Sequence, residues 1–319
     1  MIPFERLGCT KQVQRQFKKL GKGCELGRIT SLDRGFPLVN TADEELRAEL
    51  ATTIKKSQDS MVAVGDWVAL RIPSGHEKAI IQQVLPRRTE IARVKRVGRE
   101  NQIRRQVLAS NVDAVLICQS LTGDGIDERL LVRQMVAVAG CGAKPVFVLT
   151  KGDLVSADVV EATKARVKEL APDVHLVVIS AAEDVHVEKI RELCEPETTV
   201  MLLGESGVGK STLVNALLGD EAMETGAVRA SDDKGRHTTV ARRMLEVPGG
   251  GLIIDAPGLR TLQILDLEQS LRAAFPDVYE CAQSCKFSDC THTHEPGCAV
   301  KGSVGQVRLD AFLELRDWK

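Results

Sequence analysis

Aromatic residues are scarce in this chain, because only 3% of its 319 residues are Phe, Trp or Tyr. Proteins that read single-stranded nucleic acid by base stacking need a platform of aromatic rings, so the scarcity argues against that mode of recognition. The chain also lacks an apolar run near the ~18 residues that a membrane span needs. Residues 1–6 lack the apolar stretch of a signal peptide. We therefore expect a cytoplasmic protein that has no membrane contact.

The chain also has little net charge, at -1, but its charged residues are unevenly distributed. Residues 1–110 contain 21 Lys and Arg against 12 Asp and Glu, whereas the remainder contains 22 against 32. Basic residues are densest from Arg87 to Arg105, where eight stand beside two acidic residues. One interpretation is a solvated helix or loop face. The interpretation that we favour is a surface that meets the phosphate backbone of a nucleic acid.

The first part of the chain predicts a small β-barrel. Apolar alternation with turns about every ten residues is typical of short barrel strands. An oligonucleotide-binding barrel (OB-fold) fits the size and the basic charge, and an SH3-like barrel is the alternative that periodicity leaves open. The predicted strands are residues 26–30, 36–39, 61–64, 66–70 and 79–81.

The pattern changes to alternating strands and helices between Val112 and Gly258, which predicts a mostly parallel sheet covered on both faces. The predicted strands are residues 112–118, 146–150, 175–179, 200–203 and 252–254, and the predicted helices are 127–139, 158–170, 187–194 and 211–218. After Asp266 the chain is predicted to be helical, then cysteine-rich, and helical again over residues 304–318.

A phosphate loop with the pattern G-x-x-x-x-G-K-S follows one of these predicted strands. Its glycines let backbone N–H groups point at phosphates, and the helix that begins at Lys210 adds its dipole. We expect Lys210 to reach the β- and γ-phosphates and the Ser211 hydroxyl to ligate Mg²⁺. The predicted nucleotide-binding residues here are Gly204, Glu205, Ser206, Gly207, Val208, Gly209, Lys210, Ser211 and Thr212.

A guanine motif, Thr150-Lys151-Gly152-Asp153, stands at the end of an earlier predicted strand. The Asp153 carboxylate accepts hydrogen bonds from guanine N1–H and the 2-amino group, a donor pair that adenine lacks. The Lys151 stem covers the face of the base. The usual first residue is Asn, which braces the loop, and its place is taken by Thr150. Ser180 and Ala181 end the next strand, where a backbone N–H would meet guanine O6.

The order of these two motifs is the reverse of that in ordinary GTPases, where the phosphate loop comes first. This order predicts a circularly permuted nucleotide-binding domain. Contacts within a compact sheet survive when neighbouring termini are joined and the chain is opened elsewhere.

Two further segments predict the catalytic residues. Asp255 and Gly258 have the D-x-x-G spacing in which Asp holds Mg²⁺ through water and the Gly N–H meets the γ-phosphate. Thr238 or Thr239 would close on Mg²⁺ and γ-phosphate. His237 is the candidate for positioning the attacking water. Leu259 follows Gly258 where many GTPases carry a Gln that orients this water, so we expect slow intrinsic turnover raised by a partner.

Four residues near the C-terminus predict a metal site: Cys285, Cys290, His292 and Cys298. Three thiolates and an imidazole suit one closed, tetrahedral structural Zn²⁺. The alternative is a set of free thiols or a disulfide, and a cytosolic setting disfavours the disulfide. Spare candidate ligands are Cys281 and His294.

These residues together resemble the ribosome small-subunit-dependent GTPase A family of bacteria, over nearly the whole chain. The resemblance is carried by residues 64–68, 204–211, 235–239, 255–258 and the zinc spacing with residues 295–300. It implies a multidomain protein with an N-terminal extension and OB-fold barrel that binds RNA (1–100), a central α/β circularly permuted P-loop GTPase (101–265) and a C-terminal helical zinc-binding domain (266–319).

The resemblance also implies a function, with GTP or GDP, Mg²⁺ and Zn²⁺ as cofactors. The protein would hydrolyse GTP, assist late maturation of the small (30S) ribosomal subunit, contact 16S rRNA and leave after hydrolysis, with the subunit stimulating its activity. We expect a monomer, because no large apolar face is evident. The alternatives are an ATP-using P-loop enzyme and an RNA-binding module with a vestigial nucleotide site.

Overall fold

A computed structural model describes residues 1–19, 23–33, 36–55, 62–73, 78–97, 102–122, 125–181, 183–219, 242–256 and 259–317. The predicted catalytic residues His237, Thr238, Thr239 and Gly258 lie outside these ranges. Within the described part, no helix is both long and apolar enough to cross a membrane.

The N-terminal strands close into a five-stranded barrel. The first strand, β1, pairs antiparallel with β2 on one side and with β4 on the other, and β3 runs parallel to β5. The resulting order β1-β2-β3-β5-β4-β1 is that of an OB-fold, which removes the SH3-like alternative. Seven apolar side chains, including Ile29, Val39 and Leu70, fill the barrel. The strands are β1 Glu25–Asp33, β2 Phe36–Asn40, β3 Glu45–Leu50, β4 Trp67–Arg71 and β5 Ala79–Val84.

One predicted barrel strand is wrong. Residues 62–64 form no named strand, and Val64 makes only an isolated bridge with Ala109. The buried Asp66 carboxylate instead accepts a hydrogen bond from the Ala63 N–H at 2.7 Å, which closes a turn. The strand that completes the barrel is β3, which the sequence prediction missed although its apolar residues alternate with charged ones.

The densest basic segment, which lies in sequence between the barrel strands and the central sheet, forms a two-stranded antiparallel ribbon. Its strands are β6 Glu90–Val97 and β7 Gln102–Ser110, and we call the pair the basic ribbon. The sequence did not predict these strands. Apolar Ile91, Val94 and Val97 recur every third residue, and the register shifts between Ile91 and Ala92, so the alternation of a regular strand is missing.

The central domain contains a six-stranded sheet in the order β10-β9-β8-β11-β13-β12. All its strands are parallel except β12, which is antiparallel to β13 and also pairs with barrel strand β1. The predicted parallel sheet is therefore confirmed, and one continuous sheet joins it to the barrel. The strands are β8 Ala114–Ser120, β9 Lys144–Thr150, β10 His175–Val178, β11 Thr199–Leu203, β12 Arg242–Glu246 and β13 Leu252–Asp255.

Helices cover both faces of this sheet because successive strand residues point to opposite sides. Val115 and Ile117 belong to the hydrophobic core that includes α3 and α4, whereas Leu116 and Cys118 belong to the core that includes α5 and α6. The helices are α1 Lys11–Lys18, α2 Thr52–Lys55, α3 Glu128–Gly140, α4 Ala157–Leu170, α5 Val187–Leu193 and α6 Lys210–Leu218, and 3-10 turns lie at Phe4–Leu7 and Gly152–Leu154.

The C-terminal part is helical and packs against α3. A methyl group added at Gly140 of α3 would lie 1.9 Å from the Ser270 hydroxyl of the helix that follows β13, so the two backbones approach closely because position 140 has no side chain. A loop between the second and third of these helices carries the cysteines. The helices are α7 Leu267–Ala274, α8 Pro276–Ala282, α9 Ala299–Ser303 and α10 Gln306–Arg316.

Candidate nucleotide and metal sites

The phosphate loop lies between the end of β11 and the start of α6, as the sequence predicts. Gly204, Gly207 and Gly209 have φ angles of 155°, 82° and 97°, which other residues rarely adopt. Position 204 also requires glycine because of space, since an added Cβ would lie 2.4 Å from the Cys118 carbonyl oxygen. The loop is therefore shaped by its glycines, and Glu205 at its tip is exposed to solvent.

Lys210 begins helix α6 and folds its side chain back along the loop. Its ammonium donates to the carbonyl oxygens of Gly204 and Glu205, each at 2.6 Å. Ser211 and Thr212 occupy the first turn of the same helix and are partly exposed. The helix N-terminus, the ammonium and the Ser211 hydroxyl thus meet at one end of the sheet, which suits a phosphate chain and its metal ion.

The guanine motif contacts the phosphate loop directly through Thr150. This side chain is buried at the end of β9, and its hydroxyl donates to the Val208 carbonyl oxygen at 2.5 Å. The Gln119 carbonyl oxygen lies 3.3 Å from the same hydroxyl. Thr150 therefore makes the brace that Asn usually makes at this position of the motif, although 58 residues separate it from Val208.

The remaining guanine-motif residues form the turn that follows β9. Lys151 has a left-handed backbone, with φ of 59°, and Asp153 lies in the short 3-10 turn with its side chain exposed. The Gly152 N–H donates to the Ile179 carbonyl oxygen at 3.1 Å, which joins this turn to the end of β10. The motif consequently lies at the carboxyl edge of the sheet, on the same side as the phosphate loop.

Ser180 and Ala181 lie directly after Ile179. The Ser180 N–H donates to the Val185 carbonyl oxygen at 3.1 Å, so the expected backbone contact to guanine O6 falls to Ala181. The Ser180 hydroxyl is buried and has no hydrogen-bond partner among the residues that the structure describes.

Asp255 ends β13, the strand next to β11. The two strands run parallel with Met201 opposite Ile254, which places Asp255 at the same sheet edge as the phosphate loop. Leu259 is only 8% exposed and packs in the hydrophobic core. Among the predicted catalytic residues, Asp255 alone falls within the described ranges.

The four predicted metal ligands come together in the loop between α8 and α9. Their ligand atoms all lie within 4.8 Å of one another, and His292 Nδ1 lies 3.7 Å from Cys285 Sγ and 3.5 Å from Cys298 Sγ. Tetrahedral zinc with bonds of about 2.0–2.3 Å places its ligands at comparable separations. The three thiols and the imidazole therefore fit a closed zinc site.

The spare candidates are not part of this cluster. Cys281 lies in α8, and His294 Nδ1 pairs with the Thr293 hydroxyl at 2.9 Å. In the described part of the chain, the group that could hold a metal ion consists of Cys285, Cys290, His292 and Cys298.

Glu295 organises the backbone between two of the metal ligands. One carboxylate oxygen accepts from the N–H of Thr291 at 2.9 Å, and the other accepts from the N–H groups of Thr293 and His294 at 3.2 and 3.3 Å. Hydrogen bonds from Thr291, side chain and backbone, lower the pKa of Glu295 far below its usual range. The sequence reasoning assigned this residue no role at the site, although it lies between His292 and Cys298.

Two basic side chains hold the carbonyl groups of the same loop. Arg316 of α10 donates to the Thr291 carbonyl oxygen at 2.6 Å, and Lys301 of α9 donates to that of Thr293 at 2.7 Å. His292, between them, has a left-handed φ of 62°. The residues on both sides of His292, Thr291 and Thr293, are therefore held by hydrogen bonds through their N–H and their C=O groups. This fixes the backbone that carries the imidazole.

Comparisons with known proteins agree with this geometry. The family model for the RsgA GTPase matches residues 84–265. A relative from Streptomyces coelicolor, named small ribosomal subunit biogenesis GTPase RsgA, is 39% identical over 295 residues, which cover 91% of this chain and 79% of the relative.

Two solved structures share the fold. YjeQ from Thermotoga maritima gives a TM-score of 0.69 at 23% identity and covers 93% of this chain and 100% of its own. YloQ, described as a circularly permuted GTPase, gives 0.67 at 22% identity and covers 93% and 97%. The permutation that the motif order predicts is thus confirmed, and this chain belongs to the RsgA GTPase family.

Proposed function

We propose that this chain hydrolyses GTP on the small ribosomal subunit and assists late maturation of that subunit. The observation that carries the proposal is the hydrogen bond from Thr150 to the Val208 carbonyl oxygen, because it joins a guanine motif to a phosphate loop. The relative from Streptomyces coelicolor is named for biogenesis of the small ribosomal subunit, which supports the choice of partner.

The proposed roles of the site residues follow from their chemistry. Asp153 reads the guanine edge, Lys210 neutralises the β- and γ-phosphates, and Ser211 and Asp255 hold Mg²⁺ directly and through water. These positions share the carboxyl edge of one sheet, which supports their acting on one nucleotide. The roles of His237, Thr238, Thr239 and Gly258 are proposed from the sequence alone.

Binding to 16S rRNA is proposed through charge and shape. The basic ribbon carries most of the basic residues between Arg87 and Arg105, and the barrel has the OB-fold that binds nucleic acids in other proteins. The C-terminal Zn²⁺ would fold a third contact surface. Because phosphate contacts release counterions, the affinity for RNA should fall steeply as salt increases.

We also propose the three-domain division at residues 1–100, 101–265 and 266–319, a monomer and a cytoplasmic location. The cofactors would be GTP or GDP, Mg²⁺ and one structural Zn²⁺. GTP hydrolysis would release the protein from the matured subunit.

The direct test is GTP turnover measured with purified small subunits, large subunits and neither. We expect slow turnover by the chain alone and a marked increase with small subunits only. The Lys210→Ala variant should lose both nucleotide binding and stimulated turnover. Stimulation by large subunits alone, competition by ADP as strong as by GDP, or full turnover by the Lys210→Ala variant would each contradict the proposal.

A further inference from the structure

The chain that leaves Asp255 is docked by its first residues on helix α3. Leu262 is 1% exposed, and its N–H donates to Gln134 Oε1 at 2.7 Å. Leu259 is also buried. The path of residues 259–265 is therefore fixed by α3 on one side and by the end of β13 on the other. A displacement at the Asp255 turn would be passed to this segment within a few residues.

The same segment reaches the basic ribbon through one side chain. Gln263 Oε1 accepts a hydrogen bond from the Val94 N–H at 2.8 Å. Val94 pairs with Arg105 across the ribbon, and its N–H points to Gln263 and away from β7. Gln263 thus fastens the outer edge of the ribbon to the segment that follows the proposed magnesium ligand.

The contact between Leu262 and Gln134 of α3 includes a polar group that lacks a hydrogen-bond partner among the described residues. Gln134 is buried, and its Nε2 has no partner among the described residues, while its Oε1 accepts from Leu262. A buried donor without an acceptor raises the energy of the arrangement that contains it. Among the described residues, Leu262 is thus the partner that holds the Gln134 amide in place.

We propose that Gln263 is a positioning residue that couples the turn after Asp255 to the basic ribbon, so that the grip of the ribbon on RNA phosphates depends on the bound nucleotide. This inference rests on the proposed function and adds to it the element through which hydrolysis weakens binding. One solvent-exposed hydrogen bond sets the scale of the coupling, roughly two- to fivefold in an equilibrium constant.

The first test uses the full chain without ribosomal subunits. Hydrogen–deuterium exchange of residues 90–97 is compared with GDP and with a non-hydrolysable GTP analogue bound. In the wild type, exchange at Val94 should differ between the two nucleotides. In Gln263→Leu the difference should vanish, while Gln263→Glu, which keeps an acceptor oxygen, should restore it. Equal exchange at Val94 in both states of the wild type would overturn the coupling.

The second test measures the affinity of the full chain for purified small subunits in the same two nucleotide states. The ratio of the two affinities should fall two- to fivefold in Gln263→Leu and be retained in Gln263→Glu. Affinity for GDP alone should not change. Gln306→Leu on α10 is the matched control and should leave the ratio at its wild-type value.

The outcomes separate the two proposals. An unchanged ratio in Gln263→Leu, with normal subunit binding, would overturn the coupling and leave the proposed function intact. Absence of subunit binding by the wild type in both states would overturn the proposed function. In that case the exchange experiment still decides whether Gln263 links the nucleotide site to the ribbon.

Discussion

Thr150 shows how much one residue contributes to the nucleotide site. In the sequence, Thr150 stands where Asn usually braces the guanine motif. The structure places its hydroxyl 2.5 Å from the Val208 carbonyl oxygen, so a shorter side chain makes the same connection. The contact could not be predicted from the sequence, because it depends on how closely the ends of β9 and β11 approach.

Removing the Thr150 hydroxyl should therefore weaken nucleotide binding without unfolding the domain. Thr150→Val keeps the shape but loses the bond to the phosphate loop, a change worth about 1 kcal/mol or roughly a fivefold loss of affinity. Thr150→Ser keeps the donor and should bind almost normally. Titration with a fluorescent GDP derivative measures both. Wild-type affinity in Thr150→Val would show that the brace does not support the site.

The loop between α8 and α9, which carries the four predicted metal ligands, is held by the carboxylate of Glu295, which is not one of them. Spacing alone predicts Cys285, Cys290, His292 and Cys298, whose ligand atoms cluster in the structure, because ligand chemistry restricts the choice of side chain. It does not reveal Glu295, whose role depends on a backbone that turns its N–H groups toward one point. Partners of this kind commonly change metal affinity by about 10–100-fold when they are removed.

Glu295→Ala should accordingly release the metal more easily. We expect transfer of Zn²⁺ to a chromogenic chelator at least about tenfold faster than in the wild type, because the Thr291–His294 backbone loses its common acceptor. Glu280→Ala, on the exposed side of α8, is the control and should not change the rate. Equal release from both variants would mean that Glu295 does not organise the site.

The basic ribbon, like barrel strand β3, is an element that the sequence did not predict. Its basic charge is plain in the sequence and suits the phosphate contacts that we propose, but its strands were not predicted, because a shifted register hides the alternation. Regular periodicity revealed the parallel sheet and the barrel, where one or both strand faces are buried. Among the described residues of the ribbon, Ile91, Ala92 and residues 108–110 are buried at one end, whereas Val94 and Arg105 are exposed. This short buried stretch gives the sequence little periodicity to reveal.

Across the whole molecule, two buried arginines join the outer parts to the central domain, Arg28 at a strand of its sheet and Arg308 at helix α4. Arg28 of β1, 2% exposed, donates to the carbonyl oxygens of Leu7, Gly65 and Asn111 and, at 3.0 Å, to the Thr199 hydroxyl of β11. Burial lowers its pKa to about 10, so the side chain remains a cation near neutral pH. The order of motifs predicts the permutation, but joints between distant segments appear only in the fold.

Arg308 of α10 makes the C-terminal joint. It pairs with both carboxylate oxygens of Asp277, at 2.6 and 2.7 Å, and donates to the Leu170 carbonyl oxygen at the end of α4 at 3.0 Å. Burial raises the pKa of Asp277, but the hydrogen bonds and charge of Arg308 outweigh it and hold that pKa below the ordinary 3.8. The paired carboxylate of Asp277 therefore stabilises the folded protein at pH values above 3.8. This stabilisation is lost as the pH falls through the lowered pKa of Asp277.

Asp277→Asn should consequently destabilise the protein near neutral pH but not in acid. We expect a loss of about 1–2 kcal/mol, because the carboxylate is partly exposed to water. The difference from the wild type should shrink once the pH is well below 3.8. Urea unfolding of both proteins over a range of pH measures it. A difference that stayed constant down to the lowest pH would show that the charge of Asp277 is not what holds the joint.

The central claim is that the guanine motif and the phosphate loop, which follow one another in reversed order in a permuted domain, hold one nucleotide. A crystal structure with GDP and Mg²⁺ tests it most directly. We predict one GDP with its N1 and 2-amino groups about 3 Å from the Asp153 carboxylate and its β-phosphate at hydrogen-bond distance from Lys210. A nucleotide bound at the phosphate loop with Asp153 turned away from its base would contradict the account.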